Sequence, residues 1–501
     1  MRLHKIAAAL LLLGALGPVP TRGATGVVFD DRNGDGIRGA GEPGISGVEV
    51  SNGVDVVSTD AAGRYLLPDR PGHSVFLVKP RGWKTQLDAL NRPRFYAAGS
   101  ADFPLTPSGE PDALRVLVLT DTQPATPTEV GYLERGVAAR IGRRSDVSLG
   151  VTLGDLVYDR PDLFDGVSGA LARIGVPWYS LPGNHDIQLG ESGDSGPVAA
   201  YERTYGPSTY AFHAGPALFI ALDDVRPQGG PRYIGGLTPD QFSFLSGVLS
   251  GSPSSEWVVL MFHIPLFAPD PTGVEGFRPA DKARLFSMLK GRARVLVLSG
   301  HTHYQRHVFH GAADGWEGPK PIEEYNVAAA CGGFWGGPKD ADGIPVSTMW
   351  DGTPPGYAIA TFHGDSVSLD YFPARLPAES QLSVHAPKSV APKQGYVSFY
   401  ANVYNGHDGW TVEACVDDRV WNPMRRTLGW DPTYAESYLS QDSASRPLPG
   451  PRLPDPAVCY HLWKGSLPAD LPLGSHTLHV RATSPQGIAY VSDSTFEIAA
   501  P

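Results

Sequence analysis

Leu181-Pro182-Gly183-Asn184-His185-Asp186 closes the apolar run that begins at Val176. An Asn and a His side by side where a strand ends stand at the place where α/β sheets bind their ligands. Alone, the stretch has two readings, since Gly and Asn tolerate left-handed backbone and close many turns that carry no chemistry.

Four further stretches repeat the pattern of a β-branched apolar run that ends in Asp, Gln or His. Arg115-Val-Leu-Val-Leu119 leads into Thr120-Asp121-Thr122-Gln123, and Val147 to Leu153 leads into Gly154-Asp155-Leu-Val-Tyr-Asp159. Trp257-Val-Val-Leu-Met-Phe262 leads into His263-Ile-Pro265, and Arg294-Val-Leu-Val-Leu298 leads into Ser299-Gly300-His301-Thr302-His303. Composition and length make all of them buried strands. The five strand ends would set Asp121, Gln123, Asp155, Asn184, His263, His301 and His303 along one rim of a sheet. Oxygen and imidazole donors in that number suffice for two divalent ions that share one carboxylate.

In this order the motifs resemble those of the calcineurin-like metallophosphoesterases, which run Asp-x-His, Gly-Asp-x-x-x-Asp, Gly-Asn-His-[Asp/Glu], a lone His and Gly-His-x-His. The resemblance extends from about Leu114 to Phe372. It implies two facing mixed sheets with helices outside and two metals at the strand ends. By position, one ion would be held by Asp121, Gln123, Asp155 and His303, the other by Asp155, Asn184, His263 and His301, with Asp155 as the bridge. Gln123 departs from the pattern, standing where the first motif usually has His. An amide oxygen is a harder and weaker ligand than imidazole, which moves the expectation from zinc or iron toward manganese or magnesium, with manganese favoured.

The resemblance also implies hydrolysis of a phosphate monoester or diester by a hydroxide bridging the two ions. His185 would then stand beside the scissile phosphate, stabilising charge or protonating the leaving oxygen, with Asp186 or Asp159 to orient it. A hydrogen-bonded core histidine is the other reading of His185. A catalytically degenerate cell-surface binding module is the rival function, motivated by Gln123, and lipid- or glycan-linked envelope phosphates are a further substrate class.

The chain opens with Met1-Arg-Leu-His-Lys5, an apolar stretch from Ile6 to Leu16, and small residues at Gly23 and Ala24. This is the pattern of a secretory signal peptide over 1–24, and it predicts an exported protein, periplasmic or secreted, with no transmembrane segment. Loss of Arg2, Lys5 and Arg22 with the leader takes the formal charge from -11 to -14. An acidic chain without basic runs is a poor nucleic-acid binder. With 59 Gly and 47 Pro among 501 residues, the composition predicts a loop-rich, multi-domain globular protein. Cys331, Cys415 and Cys459 allow at most one internal disulfide, Cys415 with Cys459, or else three buried thiols.

Residues 25–107 alternate short strands and turns and read as a small β-sandwich. Within it, Asp31, Asn33, Asp35 and Glu42, with Gly36 at the sixth position, match the oxygen spacing of a calcium loop, although strands rather than helices flank it. With Thr59-Asp-Ala-Ala-Gly-Arg-Tyr65, this region resembles the B-type repeats of bacterial surface adhesins, which implies structural calcium; an acidic turn without an ion is the alternative. A Pro-containing linker leads to the catalytic domain, 108–375. There Thr126-Pro-Thr-Glu129 and Thr238-Pro-Asp-Gln241 are capping boxes that open helices.

Beyond the last histidine, Cys331-Gly-Gly-Phe-Trp-Gly-Gly337 begins a long aromatic loop. Trp335, Trp350 and Tyr357 would either wall a substrate or pack the loop onto the domain. Arg232 and Arg306 are candidate phosphate contacts by nearness in sequence alone, with solvated surface as the other reading. Residues 376–501 return to β composition and resemble an immunoglobulin-like domain, which completes the likeness to an exported three-domain subfamily. The oligomeric state is left open.

Overall fold

A computed structural model describes residues 23–189, 196–268, 276–446 and 452–500. The expected leader lies outside them except for Gly23 and Ala24, which pair with Pro68 and Leu67 in the first strand, Gly23–Asp30. Among the described residues no helix is long and apolar enough to cross a membrane.

Each of the apolar runs is a strand in one of two central sheets. The first sheet orders its strands Trp178–Leu181, Leu149–Leu153, Leu114–Leu119, Gly356–His363 and Ser366–Pro373. The first three run parallel and the last two are antiparallel additions. The second sheet orders Tyr210–Ala214, Ala217–Ala221, Trp257–Met261, Val295–Ser299, Ile322–Asn326 and Arg306–His310. Its four central strands are parallel and its two edges antiparallel. Strands such as Trp257–Met261 and Val295–Ser299 are buried at every position, which is why they read as continuous apolar runs rather than alternating ones. The parallel strands bring the motif residues out at one end.

Both capping boxes form. Thr126 and Glu129 close the start of the helix Pro127–Leu133, and Thr238 and Gln241 close that of Pro239–Gly251. The first helix continues through a π-helical turn, Glu134–Ala138, which keeps Val137 and Ile141 buried on the sheet side.

Two four-stranded sheets make up the N-terminal sandwich, and the C-terminal domain pairs a four-stranded with a five-stranded sheet. One hydrophobic cluster runs without a break from Val28, Phe76 and Phe103 of the N-terminal domain to Phe219 and Val259 of the core. The C-terminal domain has its own core around Phe399, Trp463, Val480 and Phe496. It also contains a helix, Pro432–Ser443, capped by Asp431, where only strands were expected. Cys331, Cys415 and Cys459 are three buried free thiols, so the expected pairing of Cys415 with Cys459 is not made. The two lie on strands of opposite sheets of that domain, and Cys459 packs beside His461 instead.

Candidate metal centre

Asp155 sits at the middle of the strand-end rim, fully buried just past Leu149–Leu153. Its Oδ1 lies 3.3 Å from His263 Nε2, and Asn184 Oδ1 lies 3.1 Å from the same nitrogen. His301 Nδ1 approaches it at 3.2 Å. Ligand atoms of Asp155, His263 and His301 all fall within 4.8 Å of one another. His263 Nδ1 is 2.9 Å from Leu153 O, a group that only accepts, so the ring turns Nε2 into the site.

On the other side of Asp155, Oδ2 accepts from Gln123 Nε2 at 2.6 Å. His303 Nε2 stands 3.6 Å from Asp121 Oδ1, while His303 Nδ1 is fixed by Gly332 O at 2.6 Å. Asp121 Oδ2 accepts from the Thr120 hydroxyl and the His301 N–H, yet Asp121 Oδ1 is buried with no hydrogen-bond partner among the described residues. The seven motif residues thus form two adjoining groups around one carboxylate.

Electrostatics ask for positive charge at this point. Burial raises Asp121 from the usual carboxylate range, and burying charge without compensation is costly. Burial also resists charge on His263, but Asp155, Asp121 and Asp224 together outweigh it and bring that histidine up to about 10. Burial and the neighbouring His263 hold His301 down to about 3, which leaves its lone pair free. An orphaned carboxylate oxygen, two carboxylates and inward imidazole nitrogens fit hard or borderline divalent cations.

The backbone is strained to make this arrangement. Asp121, Gln123, Asp155, His301 and His303 all have positive φ, between 34° and 75°. Such conformations cost about 1–3 kcal/mol each and cluster at functional sites. Two buried aspartates hold the strained turns. Asp186 accepts from the N–H groups of Leu156, Val157 and Gly183, and Asp224 from those of His263 and Ile264.

Family models match the chain in three consecutive segments: "N terminal of Calcineurin-like phosphoesterase" over residues 32–104, "Calcineurin-like phosphoesterase" over 114–305, and "C terminal of Calcineurin-like phosphoesterase" over 324–490. The chain belongs to the calcineurin-like phosphoesterases. It is a metal-dependent phosphoesterase with the family's three-part layout. The C-terminal match begins inside the core, since Ile322–Asn326, Gly356–His363 and Ser366–Pro373 are strands of the central sheets. No curated protein sequence matches it significantly. Among solved structures, a purple acid phosphatase isolated from yellow lupin (Lupinus luteus) seeds is 13% identical, with a TM-score of 0.39 over 66% of this chain and 69% of that one. A cold-active protein-tyrosine phosphatase of a psychrophilic Shewanella species is 13% identical, with a TM-score of 0.24 over 60% of this chain and 96% of that one. Neither likeness is close enough to argue from.

His185 of the phosphoesterase is half-buried beside the motif cluster, its N–H donating to Asp155 Oδ1. Its Nδ1 lies 3.0 Å from Asp159 Oδ1, so Asp159 is its carboxylate partner and Asp186 is spent on backbone. Two of the three aromatic side chains take the packing alternative. Trp335 is buried, donating to Thr122 O, and Tyr357 is buried in a strand against Phe372, so both pack the domain. Trp350 stacks on His303 with centroids 5.2 Å apart. Arg306 lies between the rings of Phe267 and Tyr460, occupied in holding the C-terminal domain, whereas exposed Arg232 lines an opening beside His301.

Three residues near the cluster were not legible in the motifs. Tyr158 stacks on His185 at 4.2 Å, and Phe334 covers His303 at 4.3 Å. Cys331 Sγ lies 3.5 Å from Gln123 Oε1. Tyr158 occupies a variable position inside the Gly154 to Asp159 motif, and Phe334 sits between glycine pairs that mark unusual backbone.

In the N-terminal domain, the oxygens of the Asp31 loop converge on its own backbone. Asp31 accepts from the N–H groups of Gly34 and Gly36, Asn33 from Asp35, Asp35 from Ile37, and Glu42 from Arg32 and Gly39.

Proposed function

We propose that this phosphoesterase hydrolyses phosphate monoesters or diesters at a two-ion centre, and that it acts after export. The observation that carries the reading is the placement of Asp155 between two groups of ligand atoms, with His185 and its Asp159 partner alongside. Asp121, Asp155, His303 and Gln123, with its amide turned over to exchange Nε2 for Oε1 beside Asp155, would hold one divalent ion; Asp155, Asn184, His263 and His301 would hold the other. Such ions, when bound, supply Lewis acidity toward the phosphoryl oxygens and a nucleophile ionised near neutral pH.

The chain's own residues supply the rest. Asp155 is gripped by the His185 N–H, and the turn that follows it is fixed by Asp186, so the carboxylate does not need to reorganise. His185, its Nδ1–H held by Asp159, would as the imidazolium donate from Nε2 to a phosphoryl oxygen or pass that proton to the departing one. The amide at Gln123 supports manganese or magnesium over zinc or iron. Export is supported by the basic and apolar start of the sequence, and a structural calcium in the N-terminal domain by the oxygen spacing of Asp31, Asn33, Asp35 and Glu42.

The test is hydrolysis of paired chromogenic mono- and diesters by metal-stripped protein reloaded with manganese, magnesium, zinc or iron. Turnover is expected to return best with manganese. Asp155→Asn should lose bound metal, and His185→Ala should keep its metal while kcat falls by about 10²–10⁴. Gln123→His should retain zinc more tightly against a chelator. Full metal content with no turnover on either ester class would remove the general-esterase reading.

A further inference from the structure

Beside the metal cluster the phosphoesterase exposes a corner of aromatic rings that its hydrolytic chemistry does not use. Tyr158 lies nearly parallel to His185, with centroids 4.2 Å apart and 22° between planes. Phe334 stands at 88° to Tyr158, 5.8 Å away, and reaches His303 and Trp350 at 4.3 and 5.7 Å. These rings therefore bridge His185 to His303 across the mouth of the site. Tyr158 is 39% and Phe334 37% exposed, and among the exposed large apolar side chains of the described residues these two touch motif histidines.

The loop is built to present Phe334. Phe334 and Trp335 both adopt left-handed backbone, with φ of 56° and 54°, which bulky residues rarely do. Trp335 is buried and tied to Thr122 O, between Asp121 and Gln123, so the strained pair drives one ring under the metal turn and leaves the other outside it. Backbone strain held this firmly at a site mouth marks a functional constraint.

We propose that Tyr158 and Phe334 recognise a planar aromatic group on the substrate, making the preferred ester a nucleotide or an aryl phosphate. Two rings set perpendicular form a corner in which a flat ring stacks on one and meets the other edge to face. A sugar would need polar partners around its hydroxyls, and the rings offer only the Tyr158 hydroxyl. An acyl chain would need an apolar groove longer than two residues provide. This assignment rests on the phosphoesterase reading of the same site and names its substrate.

The experiment compares adenosine 5'-monophosphate with ribose 5-phosphate, each also as its methyl diester, on manganese-loaded protein. The paired esters break the same type of bond to the same sugar carbon and differ in the ring. Wild type should favour the adenosine ester in kcat/KM by about 10-fold or more, the usual scale of base stacking on an aromatic side chain. That ratio should fall toward one in Phe334→Leu and in Tyr158→Leu, with melting curves confirming that the variants are folded. Benzyl phosphate, whose leaving alcohol is about as acidic as methanol, should be preferred over methyl phosphate in the same way if any flat ring suffices, and should lack the advantage if the corner selects nucleobases. A wild-type ratio near one, or a larger gain with dodecyl phosphate than with the adenosine ester, overturns the proposal while leaving the enzyme a phosphoesterase. If none of the esters is turned over, the functional reading itself fails. Calorimetric binding of the same pair then decides the corner alone: tighter adenosine binding lost in Phe334→Leu supports it, and equal binding sinks it.

Discussion

At the scale of single residues, the site depends as much on side chains that are absent as on those present. A Cβ at Gly183 would stand 2.2 Å from Asp155 Oδ1 and 2.4 Å from Asp155 N. One at Gly300 would meet the Thr120 hydroxyl at 2.0 Å and Asp121 Oδ2 at 2.8 Å. Both glycines let one strand-end turn lie directly on another. Gly183→Ala should therefore push Asp155 out of register with His263. A displacement of about 1 Å commonly costs on the order of 10²-fold in rate. The expected outcome is a folded protein that loses metal on dialysis and most of its kcat, read by metal analysis beside a melting curve; full metal and full rate in that variant would show that the contact relaxes freely. The placement of the motif residues on one rim was legible in sequence because each follows a buried strand. The partner of His185 was not, since Asp159 and Asp186 are both near in sequence and only the fold turns Asp186 onto three backbone N–H groups. Nor was Phe334, because the sequence does not show which of the two left-handed residues, Phe334 or Trp335, faces out.

At the scale of elements, the capped helices and apolar strands follow from local sequence, whereas joints between domains do not. The N-terminal domain lays Lys79 alongside Phe212 on the edge strand Tyr210–Ala214, covering backbone that would otherwise be open to pairing. Beneath this joint, buried Glu256 takes hydrogen bonds from Arg81 of the N-terminal domain and from Ser252 at 2.6 Å, and meets His213 Nδ1 at 2.7 Å. No sequence pattern announces a contact across 175 residues. Burial raises the Glu256 carboxyl, but the His213 hydrogen bond and the charges of His213 and Arg81 outweigh it and leave the group below its ordinary value. A carboxyl depressed on folding lends stability that is present above its unfolded value and is lost as pH falls through its folded one. Wild type should accordingly lose part of its stability between about pH 5 and about pH 3 through this group. Glu256→Gln should start about 2 kcal/mol lower at neutral pH and fall less steeply. Urea melts at the two pH values check this, and parallel losses in both proteins would remove Glu256 as the titrating joint.

At the scale of the molecule, the C-terminal domain lies outside the metal cluster in sequence but supports one wall of it. Asp351 is fully buried, and its Oδ2 accepts from the Gln305 N–H at 2.8 Å and meets His461 Nε2 at 2.9 Å. Asn402 donates to Asp351 O, and Ala457 N–H donates to Trp350 O. Trp350 in turn stacks on His303, so a contact chain runs from the C-terminal sheet to a motif imidazole. Removing one partner of a buried hydrogen bond costs about 1–3 kcal/mol, because the other is left buried and unsatisfied. His461→Ala should therefore lower stability by that order. If the chain of contacts positions His303, manganese should change tryptophan fluorescence in wild type through Trp350, and the variant should hold manganese less tightly and lose part of that change. Asp351→Asn alone should do the same, and the double variant should cost less than the two together, since each removes what the other left unpaired. A stability loss with metal affinity and the manganese-induced fluorescence change both untouched would make the C-terminal domain a passive cover, and additive losses would show that Asp351 and His461 act independently.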